Sequence, residues 1–231
     1  MDSLPQELIN AIIDNVPDRA NLSSCSLVAK RWRLRSQQRA FEKITIRSEY
    51  KAKLWCKNIS QEPDGTSSFV RIIHFMDIPS WDEPALFGRV LKGLTSLIAL
   101  WASHTEIPDE LRNHISRGEL GKTITTLGFI FPVCTHATIM TIVLSLPSLE
   151  KLIVQDNGFM EDEPLSIHPV TSRRKPLDWL ILLGYVDGVE EILVKYRFTS
   201  RHLVIDLSTP CTRQLIMLSA EVMVELNLYG V

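Results

Sequence analysis

A six-residue pattern, apolar-x-x-apolar-x-apolar, recurs along this chain and constrains its fold more than any other feature. The copies are "FEKITI" at 41, "VRIIHF" at 70, "LIALWA" at 97, "ITTLGF" at 124, "LEKLIV" at 149, "LDWLIL" at 177, "SRHLVI" at 200 and "MVELNL" at 223. Aligned on the fourth position, they put Ile44, Ile73, Leu100, Leu127, Leu152, Leu180, Leu203 and Leu226 in register, spaced from 23 (203 to 226) to 29 (44 to 73) residues apart. Only "SRHLVI" lacks the first apolar residue. Apolar residues two apart at the end of each copy share one face of a short strand.

Most intervals between copies carry helical periodicity. In "WDEPALFGRVLKGL", Leu86, Phe87, Val90, Leu91 and Leu94 share a face, and Gly93 is a plausible stop. Ile139, Ile142, Val143 and Leu146 do the same in "ATIMTIVLSLP", as do Val189, Ile192, Leu193 and Tyr196 in "DGVEEILVKY". Strand and helix therefore alternate about every 25 residues, an α/β arrangement with parallel strands. The pattern resembles the leucine-rich repeat, whose units stack because none buries its apolar face alone. The copies are degenerate, and no Asn or Cys ladder residue recurs consistently. An ordinary parallel α/β domain is the competing reading.

Residues 4 to 46 precede the regular alternation and read as short helices. "LPQELINAIIDNV" keeps Pro5 in the first turn and Glu7 near the positive end of the helix dipole, and Pro17 follows its end. Leu8, Ile9, Ile12, Ile13 and Val16 form a broad stripe. The next stretch, "RANLSSCSLVAKRWRLRSQQ", has Leu22, Leu27, Val28, Trp32 and Leu34 as its apolar set. A segment near 40 residues cannot usually build a self-sufficient core, so part of this surface must be covered elsewhere.

These residues carry a second resemblance. "LPQELINAIIDNV" followed by "NLSSCSLVAKRWRLRSQQRAFEKI" is similar to the F-box in order, spacing and residue type. The matching positions are Leu4, Pro5, Leu27, Val28, Lys30, Trp32, Arg33 and Phe41, with Ala29 where the family often has Cys or Ser. The resemblance implies a three-helix F-box at 4–46 and an irregular leucine-rich-repeat solenoid at 47–231. It further implies a noncatalytic, substrate-recognition subunit of a Skp-cullin-F-box ubiquitin ligase, in the cytoplasm or nucleus. The partners so implied are a Skp-type adaptor, through it a cullin, and a protein substrate. Leu4, Pro5, Leu8, Ile12, Leu27, Val28 and Trp32 are the expected adaptor contacts, with Val28 and Trp32 one turn apart on a single docking helix. A repeat scaffold outside any ligase, its first segment merely capping the solenoid, is the alternative.

On the inner face of such an array the exposed strand residues include Ile72, His74, Met76, Ile130, Val204 and Tyr229, and also Trp101, Ile153, Trp179, Ile181 and Leu183. The last five are expected to form an apolar substrate-binding patch. The long interval 156–176 is a candidate cover for it, and its charge runs read as solvated loop. The chain ends on a repeat strand, "VELNLYGV", without a polar closing element, which implies that a longer parent continues or that another chain covers the end.

Composition narrows the function classes. Lys plus Arg number 25 against 27 Asp plus Glu, a net charge of −2, so no general nucleic-acid field surrounds the chain. The 45% hydrophobic content excludes wholesale disorder. "MDSLPQELI" lacks the basic and apolar regions of a signal peptide, and Pro147, Glu150 and Lys151 interrupt the most apolar window, 138–154. Neither secretion nor membrane insertion is expected. Cys25, Cys56, Cys134 and Cys211 are too dispersed for a zinc site or redox pair and read as reduced thiols. The six histidines show no metal-ligand spacing, and no phosphate-binding loop or nucleophile elbow is present. No cofactor is expected, and a hydrolase on an irregular α/β domain is the least supported reading.

Overall fold

Eight strands pair side by side in the order in which the chain makes them, and every neighbouring pair is parallel. The structure, a computed structural model, describes residues 4–61, 65–108, 122–156, 175–184, 186–206 and 212–229. Three helices open the chain: α1 (Gln6–Asp14), α2 (Arg19–Val28) and α3 (Lys30–Glu42). There follow β1 (Lys43–Ile46), α4 (Glu49–Gln61), a 3-10 turn (Thr66–Phe69), β2 (Ile72–Met76), α5 (Ala85–Lys92), β3 (Ala99–Ser103) and β4 (Thr126–Ile130). The remainder is α6 (His136–Leu144), β5 (Lys151–Asp156), β6 (Leu177–Gly184), α7 (Asp187–Lys195), β7 (Ser200–Asp206), α8 (Thr212–Ser219) and β8 (Glu225–Tyr229).

Parallel neighbours need crossover connections, and a strictly sequential order repeats the same crossover, placing the intervening helices on one face. The core bears this out. Ile44, Ile73, Leu100, Leu127, Leu152, Leu180, Leu203 and Leu226 pair across the sheet in one unbroken row, the register expected from the repeat. Two residues on, Ile46, Phe75, Ala102, Phe129, Val154, Leu182 and Ile205 form a second buried row. Both rows pack against Leu86, Phe87, Val90 and Leu91 of α5, Ile139, Ile142 and Val143 of α6, and Val189, Ile192 and Leu193 of α7. Each fully buried aliphatic or aromatic side chain contributes about 1.5–3 kcal/mol.

The one copy lacking its first apolar residue has a local remedy. Ser200 is fully buried, but its Oγ donates to the His202 carbonyl at 2.8 Å and its N–H donates to Ser219 Oγ at 3.2 Å. The turns leaving β2, β3 and β4 also repeat: Asp77, His104 and Phe131 occupy equivalent positions with φ of 59°, 47° and 49°. Their N–H groups donate to Ser103, Ile130 and Gln155 carbonyls at 2.9, 3.0 and 2.7 Å, which carries the ladder one residue past each strand. The three non-glycine residues are held in the left-handed region by those bonds.

One local expectation is overturned. Val28 and Trp32 do not share a helix: Ala29, at φ −159° and ψ 157°, ends α2 and caps α3. Its carbonyl accepts from the Trp32 and Arg33 N–H groups at 3.0 and 3.3 Å. Ala has the highest intrinsic helix propensity, so tertiary packing makes this break. It lets α3 turn back on α1, where Trp32 packs against Ile9, Ile13 and Leu22 while Arg35 reaches Asp14. Pro5 lies just outside α1 as its cap, its carbonyl receiving the Leu8 and Ile9 N–H groups at 3.1 and 3.2 Å.

Candidate functional site

Two surfaces present apolar groups without a covering element among the described residues. The first is built by α1–α3. The inward stripe of α1, Ile9 and Ile13, joins Leu22 in a small cluster flanked by Val16, Trp32 and Ala40. The opposite stripe stays in solvent: Leu4 is 49% exposed, Leu8 51% and Ile12 45%, with Pro5 beside them. With Ala11 and Asn15, Leu4, Leu8 and Ile12 line a shallow groove of about 480 Å³. Leu27 and Val28 at the end of α2 are 81% and 67% exposed, and Leu34 on α3 is exposed as well.

Polar contacts hold the frame around this groove. Gln6 Nε2 donates to the Arg31 carbonyl at 3.1 Å and Arg31 Nε to Gln6 Oε1 at 3.3 Å, tying the starts of α1 and α3. Asp18 caps α2 by accepting from the Asn21 N–H at 2.8 Å. At the other end Arg35 grips Asp14 through two 2.7 Å bonds, and that hydrogen bond holds the Asp14 carboxyl below its ordinary pKa. The Arg19 guanidinium sits 5.0 Å from the Phe41 ring centroid, joining α2 to the end of α3. Of the seven residues expected to contact an adaptor, Leu4, Pro5, Leu8, Ile12, Leu27 and Val28 are exposed, whereas Trp32 is half-buried in the internal cluster.

The second surface is the sheet face turned away from the helices. Trp101, Ile153 and Ile181 lie in one cross-strand row, which runs His74, Trp101, Gly128, Ile153, Ile181, Val204. Trp179 belongs to the adjacent row with Lys151 and His202, and Leu183 to the row with Ile130 and Gln155. All five expected patch residues thus share this face, each half-buried. The two tryptophans do not meet, being three strands or about 14 Å apart.

Three side-chain arrangements on this face leave no pattern in the sequence. A Cβ at Gly128 would lie 2.1 Å from Trp101 Cε3, so the indole lies across the glycine of the next strand. On the neighbouring row, Lys151 Nζ is 5.6 Å from the Trp179 ring, and Trp179 stacks on His202 with centroids 4.4 Å apart. His202 Nδ1 then meets Glu225 Oε2 at 3.2 Å. Glu225 is held below its usual pKa by the Asn227 amide first and by His202 second. Nearer β1, His74 Nε2 and Ser103 Oγ are 2.7 Å apart, and burial, then Lys43 and Arg47, hold His74 below its usual pKa.

No family model matches the sequence, and no curated protein matches it. Among the described residues no helix is long and apolar enough to cross a membrane, and no group of His, Cys, Asp and Glu could hold a metal ion. Among the described residues Cys25, Cys56 and Cys134 form no disulfide, and burial pushes the Cys56 thiol up. The interval expected to cover the apolar patch falls, at 157–174, outside the described residues.

Proposed function

We propose that the chain is the substrate-recognition subunit of a Skp-cullin-F-box ubiquitin ligase, with α1–α3 as the F-box and the sheet region as an irregular leucine-rich-repeat solenoid. The observation that carries this reading is the two-faced α1. One stripe is spent on the module's own small core, and the other, Leu4, Leu8 and Ile12, lines an open apolar groove where the F-box resemblance expects adaptor contacts. A Skp-type adaptor covering that groove and the exposed Leu27 and Val28 bridges the chain to a cullin. The open sheet face around Trp101, Ile153, Trp179, Ile181 and Leu183 then receives a protein substrate. In this reading the chain contributes no catalytic residue, requires no cofactor and works in the cytoplasm or nucleus.

A second reading is favoured by one contact: α3 ends at Glu42 and β1 begins at Lys43, so the helices run into the sheet without a linker and can serve as its cap. Binding of the purified chain to a Skp-type adaptor, measured by titration calorimetry, separates the two. Tight one-to-one binding lost in a Leu4→Ser/Leu8→Ser/Ile12→Ser variant that keeps the parent's melting midpoint is the expected result. Absence of binding by the parent leaves a repeat scaffold with a helical cap.

A further inference from the structure

We infer that the cleft between α3 and the β1–β3 end of the sheet is a binding site for a small phosphate monoester. It encloses about 540 Å³, within the usual range for small-ligand sites. This inference is independent of the adaptor reading, because the cleft and the apolar groove share no lining residue.

Its electrostatics are unbalanced. Arg35, Arg39 and Arg71 face two carboxylates, Asp14 and Glu42, which leaves 3 − 2 = +1. The carboxylates are already engaged: Arg35 holds Asp14 with two bonds of 2.7 Å, and Arg39 pairs with Glu42 and lies 3.6 Å from Asp14. Arg71, on the sheet side, makes no side-chain ion pair or hydrogen bond among the described residues. Neither do the side chains of Gln38 and Ser96, which line the same cleft.

Arg71 is nevertheless well placed. Its N–H donates to the Glu42 carbonyl at 2.9 Å, and its own carbonyl accepts from Ile98 and Ala99 at 2.8 and 3.0 Å. The backbone that carries the unpaired guanidinium is therefore fixed where α3 meets the sheet. A fork of parallel N–H donors with an amide and a hydroxyl nearby suits a tetrahedral oxyanion, which has more acceptor oxygens than a carboxylate. The cleft is larger than a phosphate group, and Phe69 gives the rest of it an apolar wall, so an ester with a sugar-sized remainder fills it better than the free ion. Bound there, the ligand bridges α3 and the start of β2 and stiffens the junction between helices and sheet.

Calorimetric titration of the full chain with ribose 5-phosphate, inorganic phosphate and ribose tests this. Saturable one-to-one binding of ribose 5-phosphate is expected, with inorganic phosphate weaker but competing. Arg71→Ala should weaken binding by about tenfold or more, Arg71→Lys by less, and Arg213→Ala, at an exposed position of α8, by under about twofold. Ser96→Ala serves as a second variant if Arg71→Ala alters the melting curve. Equal affinity for the ester and the free anion overturns the ester assignment. Absence of saturable binding by either phosphate probe, or equal losses in Arg71→Ala and Arg213→Ala, overturns the site.

Discussion

The helices at the start of the chain and the sheet that follows use their apolar residues in opposite ways. From β1 to β7 the sheet buries two rows of strand side chains under its helices, with Phe75, Phe87 and Phe129 wholly enclosed. The α1–α3 module encloses only Ile9, Ile13 and Leu22 and leaves Leu4, Leu8, Ile12, Leu27, Val28 and Leu34 in solvent. A stack of repeating units shares one continuous core, so each unit's apolar face is covered by its neighbours. A three-helix segment has no such neighbour on its outer side, so its uncovered aliphatics add little to its own stability and stay open to the adaptor proposed above.

The largest way to break this contrast is a cavity in the sheet core. Leu127→Ala should cost about 2–5 kcal/mol, read as a lower denaturant midpoint at unchanged slope. Gly128→Ala comes next: the new Cβ expels the Trp101 indole from its place across the neighbouring strand, costing about 1–3 kcal/mol and shifting tryptophan fluorescence to the red. Leu8→Ser inverts the pattern. It should change the stability of the free chain by under about 0.5 kcal/mol while weakening adaptor binding at least tenfold.

The smallest effect is electrostatic. Arg35 holds Asp14 below its ordinary pKa, so the pair stabilises the module above the unfolded carboxyl value of about 3.9 and loses that contribution as pH falls through the folded value. Both groups are more than a third exposed, so solvent screening limits the contribution to about 0.5 kcal/mol. Arg35→Met should lower the melting midpoint slightly at neutral pH, and the difference should shrink as pH falls through the lowered carboxyl value of folded Asp14.

The same contrast explains what the sequence discloses. The strand register reads directly from eight apolar copies because those residues fill a dry interface on one face, where a one-residue slip would expose the whole row. Helices α5, α6 and α7 are legible for the same reason. Helix α4, "EYKAKLWCKNISQ", is not, since its apolar residues scatter and only Ala52 is fully buried among its described side chains. The break at Ala29 is invisible because the residue itself favours helix, and only the return of α3 onto α1 demands it. Gly128 acquires meaning only once the register sets Trp101 beside it, and the Lys151–Trp179–His202–Glu225 line likewise needs four strands in place. The α1 groove was legible as a stripe too wide for its own core, but which half faces outward is settled by the packing of Trp32.

Amide hydrogen exchange of the chain, alone and with a Skp-type adaptor, tests whether α1 and the end of α2 form the docking surface. Added protection is expected in residues 6–14 and at the end of α2, with the strands of the sheet unchanged. Equal exchange with and without adaptor, or protection confined to the open sheet face, would contradict it.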